Sequence, residues 1–261
     1  MVNNGLPLFT MVRILAIANQ KGGVGKTTTA VNLAHGLARY NKRVLLIDLD
    51  HQGSAALALG IEPAPATYRL LLSREPLTKL IVPARDNLDF LASDNSLADV
   101  RDWIGMKSMR DSRGALGRLR DAVQGEIGRY DFVLIDCGPG LDMLTLNALM
   151  LAGEVLIPVS MDFLSAAGTR QHLQTLDEMQ QAGGSAELRF VVPTRYDGRL
   201  NRAKKYLALL QQTFGDLVTQ PIRNNTRLAE APDYGRTIFE HDPKSLGAQD
   251  YDALGRSVLD G

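Results

Sequence analysis

The run Gln20-Lys-Gly-Gly-Val-Gly-Lys-Thr-Thr28 gathers the residue types that hold a polyphosphate. Glycines without a Cβ let successive backbone N–H groups turn toward one anion, and a helix beginning at Lys26 would add its positive end. In such a loop Gly22, Gly23, Val24 and Gly25 form the cradle and Lys26 reaches the β- and γ-phosphates. Thr27 then ligates Mg²⁺ and Thr28 touches the α-phosphate. The general phosphate-loop pattern has four residues between its glycines, which would place the first glycine at position 20. Gln20 stands there instead, followed by Lys21, so this is a variant loop carrying an added lysine.

Three carboxylates suit the same chemistry. Asp48 and Asp50 end an apolar run at i and i+2, so their side chains leave one face of a strand. Asp136 follows four apolar residues after Asp131, as the aspartate of a Walker-B strand does. Asp48 and Asp136 suit Mg²⁺, which keeps several waters and takes few direct protein ligands. Asp50 suits orientation of an attacking water. A single strand-end Asp is more often the cap of the next turn; three of them beside a phosphate loop favour the catalytic reading.

The elements that must position these residues alternate. Apolar runs at 13–18, 43–48, 87–91, 131–136, 154–159 and 187–192 read as strands, and periodic stretches at 26–39, 113–128, 142–151, 164–182 and 201–213 read as helices. Strands apolar on both faces, separated by helices, predict an α/β fold: a doubly wound, mainly parallel sheet of the P-loop NTPase type. In such a sheet the ligand lies at the carboxyl ends of the strands, where all three aspartates and the loop fall. Residues 1–11 read as an N-terminal extension and 12–261 as one ATPase domain, with residues 93–125 a peripheral helical segment. No repeat or low-complexity tract interrupts it.

Composition narrows the class. With 45% hydrophobic and 22% charged residues the chain is ordinary globular protein. The single cysteine, Cys137, excludes a disulfide framework, a four-Cys zinc site and a single-chain iron–sulfur ligand set. It reads as a small buried residue, and Trp103 and the methionines as core. No apolar run approaches the ~20 residues that span a bilayer, and the start has no signal-peptide pattern, so a cytoplasmic protein is expected.

The same residues resemble the ParA/Soj branch of the deviant-Walker-A (ParA/MinD) ATPases. The likeness is carried by Lys21-Gly-Gly-Val-Gly-Lys-Thr-Thr28, Leu46-Ile-Asp-Leu-Asp50 with Gln52-Gly53, Phe132-Val-Leu-Ile-Asp-Cys137, Leu156-Ile-Pro-Val159 and Arg227-Leu-Ala-Glu-Ala-Pro232 with Tyr234-Gly235. Leu246-Gly-Ala248 and Tyr251 also fit, so it runs from Val12 onward. It implies an ATP-dependent sandwich homodimer in which Lys21 crosses to the partner's phosphates, as an arginine finger supplies charge elsewhere. It also implies slow, Mg²⁺-dependent ATP hydrolysis stimulated by a ParB-like or cargo-adaptor protein. Nonspecific DNA binding in the ATP state and nucleoid association complete the implied cycle. Departures fall beside the switch regions: His51 replaces a usual proline, Gly138 and Gly140 a usual Pro and Ser, and 160–168 follows the pattern loosely. The ten residues before Met11 leave no room for an operator-reading domain, so autoregulation is not expected.

Net charge is zero, 29 basic against 29 acidic residues, which by itself argues against nucleic acid. The charge is uneven, however. Eight basic and four acidic residues between Arg195 and Arg236 leave a local +4, and a second charged stretch spans 101–129. By resemblance Arg199 and Arg227 match DNA-binding positions, with Arg202, Lys204, Lys205 and Arg223 as neighbours; the alternative is a solvated basic helix face. A MinD-like membrane-cycling ATPase would need a basic amphipathic tail, whereas Gln249–Gly261 is acidic and weakly apolar. A P-loop ligase of the dethiobiotin-synthetase type would need neither Lys21 nor the 227–234 segment.

Overall fold

The computed structural model describes residues 12–109, 111–161 and 186–261. The extension at 1–11 and the helix expected over 164–182 lie outside the described residues. Among the described residues seven strands form one sheet: β1 Arg13–Ile17, β2 Val44–Leu49, β3 Val82–Arg85, β4 Leu88–Leu91, β5 Phe132–Cys137, β6 Glu154–Ser160 and β7 Glu187–Thr194. Their order is β3-β4-β2-β5-β1-β6-β7, parallel throughout except for the antiparallel β3–β4 edge. Thus the doubly wound parallel sheet expected from the sequence is present, with one additional strand.

Among the described residues the helices are α1 Lys26–Arg39, α2 Ser54–Leu59, α3 Ala66–Tyr68, α4 Leu97–Ser108, α5 Ser112–Leu116, α6 Arg118–Val123, α7 Met143–Leu151, α8 Asn201–Phe214, α9 Thr226–Glu230, α10 Ile238–His241 and α11 Leu246–Asp260. The single helix expected over 113–128 is broken into α5, α6 and a short 3₁₀ turn, because Gly117 and Gly125 interrupt it. Successive strands move from the centre toward β2 after β1, and back across β1 to β6 after β5. Right-handed crossovers in opposite directions put α1 and α7 on opposite faces. The chain therefore reverses at β1, and the loop after β1 sits at the topological switch point where such sheets bind ligands.

Strands β2 and β5 are buried along their length and β1 over its carboxyl half, with Leu15, Ile17, Leu45, Leu46, Ile47, Leu134 and Ile135 fully enclosed. Burying each such side chain stabilises the fold by ~1.5–3 kcal/mol. On the α1 face Tyr251, Leu254 and Val258 of α11 are buried, and the Tyr251 hydroxyl lies 3.2 Å from Thr29 Oγ1. That contact uses the apolar stripe of the C-terminal tail inside the fold. Cys137 is buried as expected and Trp103 packs partly buried against the core. Met106 and Met109, by contrast, are 65% and 87% exposed, so the expectation of core methionines fails there. Among the described residues no helix is long and apolar enough to cross a membrane.

Candidate functional site

The phosphate loop begins where β1 ends. Gly23 and Gly25 adopt left-handed backbone angles, φ 73° and 91°, which glycine reaches without a Cβ clash. A Cβ at Gly22 or Gly23 would meet nothing within 4 Å, so both glycines border open space. Gly25 starts α1 without any side-chain cap. Among the described residues, the N–H groups of 22–28 make no full main-chain hydrogen bond outside the helix, which leaves them available to an anion.

Distant residues hold this loop in place. Asn19 Nδ2 donates to the Pro158 carbonyl of β6 at 2.7 Å, and Asn19 Oδ1 accepts from the Lys21 N–H. Thr194 at the end of β7 donates to the Val24 carbonyl at 2.8 Å, and the Gly140 N–H to that of Gln20. Neither Asn19 nor Thr194 was evident as a site residue in the sequence. Their only signal is a polar side chain at the carboxyl end of a strand.

Lys26 is 7% exposed, and its ammonium donates to the Lys21 carbonyl at 3.2 Å. Burial lowers its pKa, opposed chiefly by the nearby Asp136 carboxylate. Lys21 itself is exposed at the turn of the loop.

The register of β2 against β5 sets Asp48 directly beside Asp136, and that of β1 against β5 sets Ile17 beside Asp136. Both aspartates are fully buried. Asp48 Oδ1 accepts from the Asp50 N–H, but Asp48 Oδ2 and both Asp136 oxygens have no partner among the described residues. Burial pushes the Asp48 carboxyl up to about 7, and burial together with the Asp48 charge pushes Asp136 well above the ordinary carboxylate range. Two adjacent buried carboxylates with orphaned oxygens suit a hydrated cation, which would neutralise both. Among the described residues no three His, Cys, Asp or Glu side chains converge, so a bound ion would keep most of its waters and take a ligand such as Thr27.

An expected result follows for the chain without metal or nucleotide. A carboxyl whose folded pKa exceeds its unfolded one holds a proton that the unfolded chain has released, so stability falls as pH rises from ~4 through about 7. Asp48→Asn should reduce that slope and stabilise the chain at pH 8 by roughly 2 kcal/mol in urea unfolding. An unchanged or lower stability would contradict the orphaned-carboxylate description.

Asp50 lies just beyond β2 and is 9% exposed. Its Oδ1 accepts from the Gln52 N–H at 3.0 Å and lies 3.5 Å from His51 Nδ1. Its main chain is pinned by Ser93, whose hydroxyl donates to the Asp50 carbonyl, and by the Gly53 N–H. Gly53 is at φ 61°, and a Cβ there would approach the Ser93 carbonyl oxygen to 2.9 Å; only glycine closes this turn. A Cβ on Gly138 would stand at an ordinary 3.6 Å from the Asp50 carboxyl carbon, so this departure creates no steric demand. A cavity of about 140 Å³ opens beside the first turn of α1, between Thr28, Thr194, Ile222 and Asn224.

A family model described as an AAA domain matches residues 12–189. The chromosome-partitioning ATPase Soj of Thermus thermophilus is 43% identical over 251 residues, covering 95% of this chain and 96% of that one. The chain belongs to the ParA/Soj family of partitioning ATPases. The chromosome partitioning protein ParA of Myxococcus xanthus is 38% identical, covering 96% of this chain and 89% of its own. Among solved structures, cobyrinic acid a,c-diamide synthase from Mycobacterium smegmatis with bound ADP and magnesium superposes with a TM-score of 0.79 at 29% identity, over 95% of this chain and 94% of that one.

The basic segment of this ParA/Soj-family chain lies on α8, α9 and the turns before them. Arg202, Lys204 and Lys205 are exposed on α8 and make no ion pair among the described residues. Arg199 is 89% exposed in its side chain and pairs with Asp197 at 2.7 Å; Arg227 is 59% exposed and pairs with Glu230. The two groups are neighbours, because the Asn224 N–H donates to the Tyr196 carbonyl and Tyr196 bridges Arg223 in parallel. Arg223 differs from the rest. Its guanidinium and main-chain N–H both bind the Asp250 carboxylate, which holds it against α11. It is the weakest of the six basic candidates for an outside phosphate.

Proposed function

We propose that the chain is an ATP-dependent dimeric ATPase that binds DNA without sequence preference in its ATP state and moves or spaces cargo along the nucleoid. The observation that carries the reading is the meeting of a lysine-bearing phosphate loop with three carboxylates, two of them buried side by side with orphaned oxygens.

In this reading the N–H groups of residues 22–28 and the Lys26 ammonium bind the polyphosphate, and Thr28 touches its α-phosphate. The base occupies the cavity beside Thr194 and Ile222. Thr27, Asp48 and Asp136 hold Mg²⁺ and its waters; the ion, when bound, draws charge from the transferring phosphoryl group. Asp50, fixed by Ser93, Gln52 and Gly53, orients the attacking water. Lys21, exposed at the loop, supplies a charge to the nucleotide of the second protomer. Hydrolysis is slow until a ParB-like or other adaptor completes the site. The cargo is a plasmid, a chromosome origin or a protein assembly.

The DNA surface is Arg199, Arg202, Lys204, Lys205 and Arg227, with Arg223 a minor contributor. Its contacts are to phosphates, hence insensitive to sequence and steeply dependent on salt. Arg199→Glu combined with Arg227→Glu should abolish DNA binding at physiological salt while preserving basal ATP turnover, read by filter binding and phosphate release. Binding retained by the double variant would assign the surface elsewhere.

A ligase reading draws on the amide-forming neighbour with its ADP and magnesium. The partitioning relatives, at 37–43% identity over nearly the whole chain, favour the ATPase reading. A membrane-cycling reading would need α11 to present an apolar face, and the apolar stripe of α11 is buried against the fold.

A further inference from the structure

A second cavity, of about 490 Å³, opens between the 69–76 turn and helices α4–α6 and shares no lining residue with the phosphate loop. Its deepest cation is Arg118, 9% exposed, whose Nε donates to the Leu71 carbonyl at 2.5 Å. The two terminal nitrogens of Arg118 make no hydrogen bond or ion pair among the described residues, nor does the guanidinium of Arg74 on the same wall. Lys107 completes the group, with its ammonium 4.8 Å from the Trp103 ring; the Arg118 guanidinium lies 5.4 Å from that ring.

Four carboxylates also line the cavity; two are paired with arginines outside the lining, and two are held by main-chain N–H groups, which fix their position without neutralising their charge. Glu75 pairs with Arg69 at 2.5 Å, Asp121 pairs with Arg120, and Asp111 accepts from the Gly114 N–H. Glu126 accepts from the Leu77 and Thr78 N–H groups. None bridges Arg74 and Arg118. Burial, then the like charge of Arg74, disfavours the Arg118 cation, with Asp121 opposing. The terminal nitrogens of Arg118 open onto the cavity beside a second cation, and an anion between the two would be held by both. Leu70, Pro76 and Ala122 give the same cavity an apolar wall.

We propose that this cavity is a binding site for a small phosphorylated molecule. Its phosphoryl group lies among Arg74, Lys107 and Arg118, and its apolar part against Leu70, Pro76 and Ala122. The volume falls in the range of small-molecule sites. Guanidinium forks match phosphoryl oxygens in pairs, and Lys107 adds a point charge.

Trp103 is the only tryptophan in the chain and touches two of the three cations, so its emission reports this cavity. The test titrates inorganic pyrophosphate into the full chain saturated with Mg·ADP, at constant ionic strength set with chloride. A saturable change in Trp103 emission, with a matching heat of binding, is expected. Arg74→Gln, an exposed position whose loss leaves the fold intact, should weaken that binding about tenfold, and Lys107→Gln likewise. Lys26→Ala, which disables the phosphate loop, should keep the response. Absence of saturable binding would overturn the proposal. So would binding unchanged in both cavity variants, or binding lost in Lys26→Ala and kept in Arg74→Gln, since the anion would then belong to the phosphate loop.

Discussion

Asp50→Ala is expected to lower ATP turnover by about 10²–10⁴-fold while leaving ATP binding within about twofold of the wild type. The asymmetry follows from the geometry. Asp50 contributes nothing to the loop that would hold the phosphates; its carboxylate faces the space that Lys26 and Asp136 border, where Lys26 and Asp136 feel its charge. The local fold should survive the change. The Asp50 main chain is held by Ser93 and Gly53, and among the described residues the side chain contributes the Gln52 N–H bond, about 1 kcal/mol, and its approach to the half-exposed His51 ring. Turnover is read by phosphate release and binding by a fluorescent ATP analogue. Wild-type turnover in the variant would remove Asp50 from its role; loss of nucleotide binding would show that it acts on the loop instead.

Lys21→Ala has the second large effect. The wild type should shift from monomer to dimer with Mg²⁺ and a nonhydrolysable ATP analogue, and the variant should stay monomeric, as seen by light scattering behind size exclusion. A charge-assisted contact to a phosphate is worth about 1.5–3 kcal/mol and the symmetric dimer holds two, so the variant should lose about 3–6 kcal/mol, or roughly 10²–10⁴-fold, in the dimer equilibrium. Lys21 is well placed to separate dimerisation from binding. It is exposed, its main chain is fixed by Asn19, and Lys26 rather than Lys21 is the buried lysine of the loop. Nucleotide binding by the monomer should persist. A variant that dimerises like the wild type would contradict the trans-acting lysine.

Much of this was legible in the residues because the signals are local. The loop announces itself through glycines and lysines between an apolar run and a helical one, and Asp48 and Asp136 through their places at strand ends. Other features depend on contacts between distant segments. Asn19 reaches Pro158, Thr194 reaches Val24, and Ser93 reaches Asp50; no spacing rule links such pairs. The edge strand β3 is only four residues, Val82-Pro-Ala-Arg85, and its proline is tolerated because an edge strand need not donate on both sides. By composition the tail is weakly apolar, because its polar residues dominate the count. Tyr251, Leu254 and Val258 nevertheless recur at intervals of three and four, and that stripe is what α11 buries. Arg223 shows a limit of charge counting, since an arginine in a basic segment can be committed to its own Asp250.

In the proposed cycle nucleotide state gates DNA binding by a patch whose charge the neutral total conceals. Two copies of a moderate patch on one dimer gain by linkage what one copy lacks. The most direct test is binding of the wild-type chain to a DNA duplex of arbitrary sequence at fixed salt, with Mg·ATP against Mg·ADP. Tight, salt-sensitive binding with Mg·ATP and weak binding with Mg·ADP is the predicted result. Equal binding in the two states, or none in either at low salt, would contradict it.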